Sequence, residues 1–248
     1  MITTWDAART HPIHGCTLGF NARLSTDQSG QYFVTNSHCT STFAASTSDS
    51  AYQADFTQQS DAAIGYEVQD PAWRTDIPQC PTFTSNQKCR YSDAALFRYT
   101  QASYSDFPYI AMDSSVSSTL GVNGSRFRVD SFVVIANYPE AKLLAADTVN
   151  RNTWLMKVGN TSGWTWGPIR STCLNFYAYG GTLKCQYKVL AEAKEGDSGS
   201  PVFEYTSFYL GIKQATLAGV LHSATPGLYY YFSSITGIKN DIANLVTY

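Results

Sequence analysis

Glu195-Gly196-Asp197-Ser198-Gly199-Ser200-Pro201-Val202-Phe203 is a glycine-flanked turn that runs into an apolar strand. A serine in such a turn holds its hydroxyl clear of the backbone, and small neighbours let N–H groups converge on an oxygen that becomes negative. The string predicts a nucleophilic Ser198, with the N–H groups of Gly196 and Ser198 as oxyanion donors. Out of context it is also an ordinary Gly/Ser/Asp turn before a strand.

Such a hydroxyl is inert without a base. Upstream, Phe33-Val34-Thr35-Asn36-Ser37-His38-Cys39-Thr40 places His38 at a strand end beside a cysteine. In Tyr91-Ser92-Asp93-Ala94-Ala95-Leu96-Phe97 an acid precedes a run of small and apolar residues that must be buried. A buried carboxylate is costly unless paired; against an imidazole, Asp93 would fix the tautomer and stabilise the imidazolium. Read singly, His38 is a surface or core histidine and Asp93 a capping or turn residue.

Working outward, β-branched, aromatic and apolar residues cluster or alternate over Cys16 to Leu24, Tyr32 to Asn36, Asp93 to Tyr99, Phe127 to Ala136, Trp154 to Val158, Thr216 to Leu221 and Leu228 to Phe232. This is an all-β pattern of short strands. Loops are expected at Ser25-Thr26-Asp27-Gln28-Ser29-Gly30 and Gly121-Val122-Asn123-Gly124. Ile235, Ile238, Ile242, Leu245 and Val246 form one apolar stripe, which predicts a C-terminal amphipathic helix. The Ser/Asp-rich stretch from Tyr104 to Ser118 suggests a connection between two halves, 1–112 and 113–248.

Six cysteines, with Cys80/Cys89 and Cys173/Cys185 close in sequence and no C-x2-C pair, read as disulfides rather than metal ligands. Of the connectivities six cysteines allow, we expect Cys16–Cys39, Cys80–Cys89 and Cys173–Cys185. Disulfides persist in oxidising compartments, so a secreted chain is expected. The start, Met1-Ile2-Thr3-Thr4-Trp5-Asp6, lacks the features of a signal peptide. That fits an intracellular chain or a mature fragment without its leader, and the cysteines favour the second. The net charge of −2 argues against nucleic acid or an anionic membrane as partner. No apolar run approaches the roughly 18–20 residues of a membrane span.

In that order, TNSHC, SDAALF and GDSGSPVF resemble the His, Asp and Ser motifs of trypsin-like serine proteases. Lys157 to Trp164, the Cys173–Cys185 interval, Gly219 to Ser223 and Pro226 to Tyr229 are similar to segments of secreted bacterial members. The resemblance covers most of residues 15–245. It implies two packed six-stranded antiparallel β-barrels, the first carrying His38 and Asp93 and the second Ser198, ending in a helix. It also implies protein or peptide substrates, a monomer, and no metal or organic cofactor.

Three departures matter. No Ile-Val-Gly-Gly start is present to pair with Asp197, and Asn160 stands where many bacterial relatives carry an internal Arg, so the partner of Asp197 is open. Ser200 replaces the commoner Gly. In the primary pocket the resemblance puts Glu192 at the base, which implies a Lys or Arg preference. A shift of one residue decides whether His222 or Ser223 supports Asp93. If Ser223 does, His222 stands where glutamate-preferring relatives use a histidine. The bland alternative is a solvated Glu192 and a structural His222. The sequons Asn123-Gly124-Ser125 and Asn160-Thr161-Ser162 matter only in a eukaryotic host. A different class of function, an inactive secreted binding module using 17 Tyr and 5 Trp, is also open.

Overall fold

A computed structural model describes residues 2–5, 12–52, 62–80, 88–105, 107–113, 129–137, 143–144, 153–209 and 212–247. The first sheet contains β1 (Ile2–Trp5), β2 (Pro12–Cys16), β3 (Phe20–Leu24), β4 (Asp27–Thr35), β5 (Ser50–Tyr52) and β6 (Gly65–Gln69). The second opens with the short β7 (Cys89–Arg90), while β8 (Ala95–Tyr99) returns to the first. Then come β9 (Tyr109–Asp113), β10 (Val129–Asn137), β11 (Trp154–Gly159), β12 (Gly163–Ala178), β13 (Gly181–Val189), β14 (Pro201–Tyr209), β15 (Ile212–Thr225) and β16 (Tyr229–Ser234), all in the second sheet. Helix α1 (Ile235–Asp241) and β17 (Leu245–Val246) end the chain's ordered elements.

The first sheet runs β17-β3-β4-β8-β6-β5-β1-β2. The second runs β14-β11-β12-β13-β16-β15-β10-β9, and a further β14–β15 pairing closes its first six strands into a ring. Pairing is antiparallel except for β10 with β15 and β7 with β13. Alternation gives each sheet its apolar face. Phe33, Ala95 and Phe97 join a core inside the first sheet, and Leu155, Ile169, Val189 and Phe232 one inside the second. A third core takes Phe20, Val34 and Leu96 from the first and Phe203, Leu217 and Val220 from the second, with Ile235 and Ile238 of α1. The shared core sets the two sheets against each other, and the chemistry-bearing turns sit where they meet.

Three local expectations change. The strand over Cys16 to Leu24 is interrupted, because the Thr17 N–H turns aside to the Ser198 carbonyl at 2.7 Å. Within the loop expected at Ser25 to Gly30, β4 already begins at Asp27. The Asp27 carboxylate holds that end, accepting from the Gly30 N–H at 3.0 Å, Ser29 Oγ at 2.9 Å and the Tyr32 hydroxyl at 2.6 Å. The helix stops at Asp241: Asn244 adopts φ +65°, and Leu245 and Val246 pair with Leu24 and Arg23 instead. Beyond Asp113, the stretch to Ser118 lies outside the described residues, as do the loop at Gly121 to Gly124 and the sequon at Asn123 to Ser125.

Candidate active site

His38 sits in a single 3-10 turn, Ser37–Cys39, directly after β4. The Cys16–Cys39 disulfide ties that turn to the end of β2, and Asn36 Nδ2 donates to the Asp93 carbonyl at 2.7 Å. The Asp93 side chain is fully buried and accepts from the His38 backbone N–H at 3.1 Å, while its other oxygen lies 2.6 Å from His38 Nδ1. Burial opposes ionisation of Asp93, but the imidazole's charge and hydrogen bond outweigh it and hold the carboxyl below its usual range.

Support for Asp93 comes from residues the sequence reading passed over. Its backbone N–H donates to Ser233 Oγ at 2.9 Å, and that hydroxyl donates to Gln186 Oε1 at 2.8 Å. Ser223 follows a bulge in β15 and makes no hydrogen bond to Asp93 among the described residues. His222 is buried, edge-on to Phe176 at 5.1 Å, with no hydrogen-bond partner on either ring nitrogen. Burial pulls its pKa down to about 4.

On the serine side, Gly196 and Gly199 take φ values of +94° and +88°. A Cβ on Gly196 would meet Thr161 Oγ1 at 2.3 Å, and one on Gly199 the Thr17 carbonyl at 2.3 Å. Ser198 between them is half-buried. Among the described residues neither the Gly196 nor the Ser198 N–H donates to a protein acceptor. No hydrogen bond joins Ser198 to His38 among the described residues. The two turns are nonetheless linked, through Thr17 on the Ser198 carbonyl and the disulfide of Cys16, its neighbour, with Cys39.

Asp197 finds its partner in Lys157. Lys157 Nζ lies 2.9 Å from Asp197 Oδ2, and both side chains are fully buried. The carboxylate also accepts the N–H groups of Thr161, Ser162 and Lys194 at 2.8 to 3.0 Å, and Lys157 donates to Ser162 Oγ and to the Gly163 carbonyl. Burial opposes ionisation of Asp197; the ammonium and these donors prevail and keep it below the usual carboxylate value. Asn160 uses its backbone N–H on Thr17 Oγ1 instead. The clue lay in alternation: Leu155, Lys157 and Gly159 share the inward phase of β11.

Glu192 is partly exposed, with Lys194 Nζ 3.1 Å from its carboxylate. The remaining disulfides join Cys80 with Cys89 and Cys173 with Cys185. Among the described residues, the side chains grouped closely enough for a metal ion are Cys16, His38 and Cys39, whose sulfurs are bonded to each other.

No protein-family model matches the sequence, and no curated protein does. Solved structures match over nearly the whole chain. Protease A of Thermobifida fusca is 19% identical, with 99% of this chain and 96% of that one covered and a TM-score of 0.55. A Nocardiopsis protease is 18% identical, with 98% and 95% covered and a TM-score of 0.55. A glutamic acid specific serine protease, described as using a histidine triad in substrate binding, is 15% identical, with 99% and 97% covered and a TM-score of 0.56. The fold is that of the bacterial chymotrypsin-like serine proteases. Within the chymotrypsin-like fold, identities this low leave the activity to be argued from the residues of the cleft.

Proposed function

We propose that this chain is a secreted serine endopeptidase in which Ser198 is the nucleophile, His38 the general base and acid, and Asp93 the carboxylate behind the imidazole. The 2.6 Å contact between His38 Nδ1 and the fully buried Asp93 carries the reading. It leaves Nε2 as the nitrogen available to a serine proton. As Ser198 Oγ attacks the carbonyl carbon, its proton passes to Nε2, and the N–H groups of Gly196 and Ser198 receive the oxyanion. Collapse expels the amine, which takes the proton from His38, and leaves an ester on Ser198. Water, deprotonated by His38, hydrolyses that ester. The two halves act as one catalytic unit on peptide substrates, and three disulfides suit an oxidising exterior.

For the primary pocket, the ion pair of Glu192 with Lys194 removes the unmatched negative charge a Lys or Arg preference requires. His222, buried with both ring nitrogens unpartnered, supports an acidic residue before the scissile bond instead. Paired peptides differing only in Glu or Lys at that position test this, and faster cleavage of the Lys peptide would reverse it. A serine-directed covalent inhibitor should label Ser198, and Ser198→Ala should lower kcat by about 10⁴-fold or more. Undiminished cleavage by that variant, or no turnover of a peptide library by the parent chain, defeats the endopeptidase reading; the second result favours a binding module.

A further inference from the structure

Hairpin β12–β13 turns at Tyr179 and Gly180, with φ +53° and +76°. Its apex is seated on the earlier part of the chain: Thr182 and Leu183 pair in parallel with Cys89 and Arg90, and the Thr182 N–H donates to the Lys88 carbonyl at 3.0 Å. Gly181 faces Trp73 so closely that a Cβ would fall 2.5 Å from the indole. This seating lays the Tyr179 ring over His38, with 5.6 Å between centroids and 12° between planes. The same ring stacks on Phe43 at 4.4 Å and 19°, and Phe43 leans on Trp73 at 5.2 Å. Tyr179 is nevertheless 46% exposed, more than an anchor for the hairpin needs to be.

Acyl transfer as described has no use for this phenol, but it passes through a positively charged imidazole. An aromatic face within about 6 Å of a cation attracts it through the ring quadrupole. We propose that Tyr179 is a positioning residue for the charged form of His38, capping the ring and stabilising the imidazolium formed when Ser198 gives up its proton. The cap comes from the second sheet, so the hairpin tunes a base carried by the first. Among the described residues the other titratable groups near His38 are the Asp93 carboxylate on its Nδ1 edge and, within electrostatic reach, His222 from β15, which burial keeps neutral. Arg90 stands over Phe43 at 5.1 Å, its charge paired with Asp70 at 2.9 Å. Burial, aided by the charge of Asp93, pushes the Tyr179 hydroxyl up, so the capping ring stays uncharged.

The inference rests on the proposed triad, and its test is independent of turnover. The His38 ring C–H resonance is titrated by NMR in the parent chain, Tyr179→Phe, Tyr179→Leu and Tyr179→Trp. Phe keeps the face and leaves the His38 pKa where it was; Leu lowers it by about half a unit; Trp holds or raises it, and serves if the Leu variant does not fold. With turnover, the acid limb of kcat/KM moves to lower pH in Tyr179→Leu by the same amount. An unchanged His38 pKa in Tyr179→Leu, or a lowered one in Tyr179→Trp, overturns the cap. If instead KM alone shifts with the peptide's side chains, the ring is a substrate wall and the cap is again overturned. Absence of turnover defeats the protease reading while the titration still decides this one.

Discussion

Lys157 carries an ammonium into the dry interior of the second sheet, and Asp197 balances it at 2.9 Å. Removing one partner of a buried pair leaves the other as an uncompensated charge, a loss of about 3–5 kcal/mol. Lys157→Met should therefore lower the urea midpoint and, because Asp197 adjoins the proposed nucleophile Ser198, depress kcat more than KM. Adding Asp197→Asn should restore part of the stability, since no charge is then stranded. A Lys157→Met variant as stable as the parent would contradict this. Lys157 was legible in the alternation of β11, but the resemblance drew attention to Asn160, three residues on. Ser233 gave no such signal. Its service to the Asp93 N–H depends on how β16 lies beside that segment, which no local pattern in Tyr229–Ser234 encodes.

Helix α1 is only seven residues long, yet its last residue organises the acidic arm of the site. Asp241 accepts from the Ser92 N–H and Ser92 Oγ, both at 2.7 Å, and from the Tyr91 N–H at 3.1 Å. Gly237 lies against the Tyr91 carbonyl, where a Cβ would come within 2.8 Å. Asp241→Asn turns amide hydrogens toward donors, so we expect a loss of about 2 kcal/mol and a fall in kcat as Asp93 loosens. Ser92→Ala removes one of these bonds and should cost about 1 kcal/mol. Urea titrations with initial-rate kinetics separate the two, and a kcat unchanged in Asp241→Asn would detach the helix from the site. The apolar stripe placed this helix correctly at its start and carried it too far, because Leu245 and Val246 keep the spacing while belonging to an edge strand. The β12–β13 hairpin escaped notice although Leu174, Phe176 and Ala178 of its outer half alternate with more exposed neighbours, because that phase is only half covered and Tyr177 on the other phase is apolar too.

Across the whole molecule, His222 links stability to pH. Its folded pKa of about 4 lies below the ordinary 6.5, so the native state favours the neutral ring. That contribution is complete above about pH 6.5 and is lost as pH falls toward 4, where the unfolded chain has already taken its proton. The difference corresponds to about 3 kcal/mol. Urea midpoints followed from pH 7 to pH 4 should fall, and His222→Phe should flatten that part of the curve; an equally steep decline in the variant would place the linkage elsewhere. The all-β class was visible in the clustered and alternating apolar segments, and the three short motifs marked the turns at His38, Asp93 and Ser198, because tight turns of this kind admit few residue types. The closing of β14 onto β15, and the shared core between the sheets, depend on contacts between distant strands and leave no comparable local mark.

Strand β17 has one more implication. After its excursion through the second sheet the polypeptide comes back to lie along β3, so the halves are belted together as well as joined at their crossover. Prising them apart means peeling that return strap. Drawing the two sheets apart would therefore break the pairing of β17 with β3 as well as the core they share, and in the proposed peptidase that ties the spacing of the two reactive turns to the integrity of both.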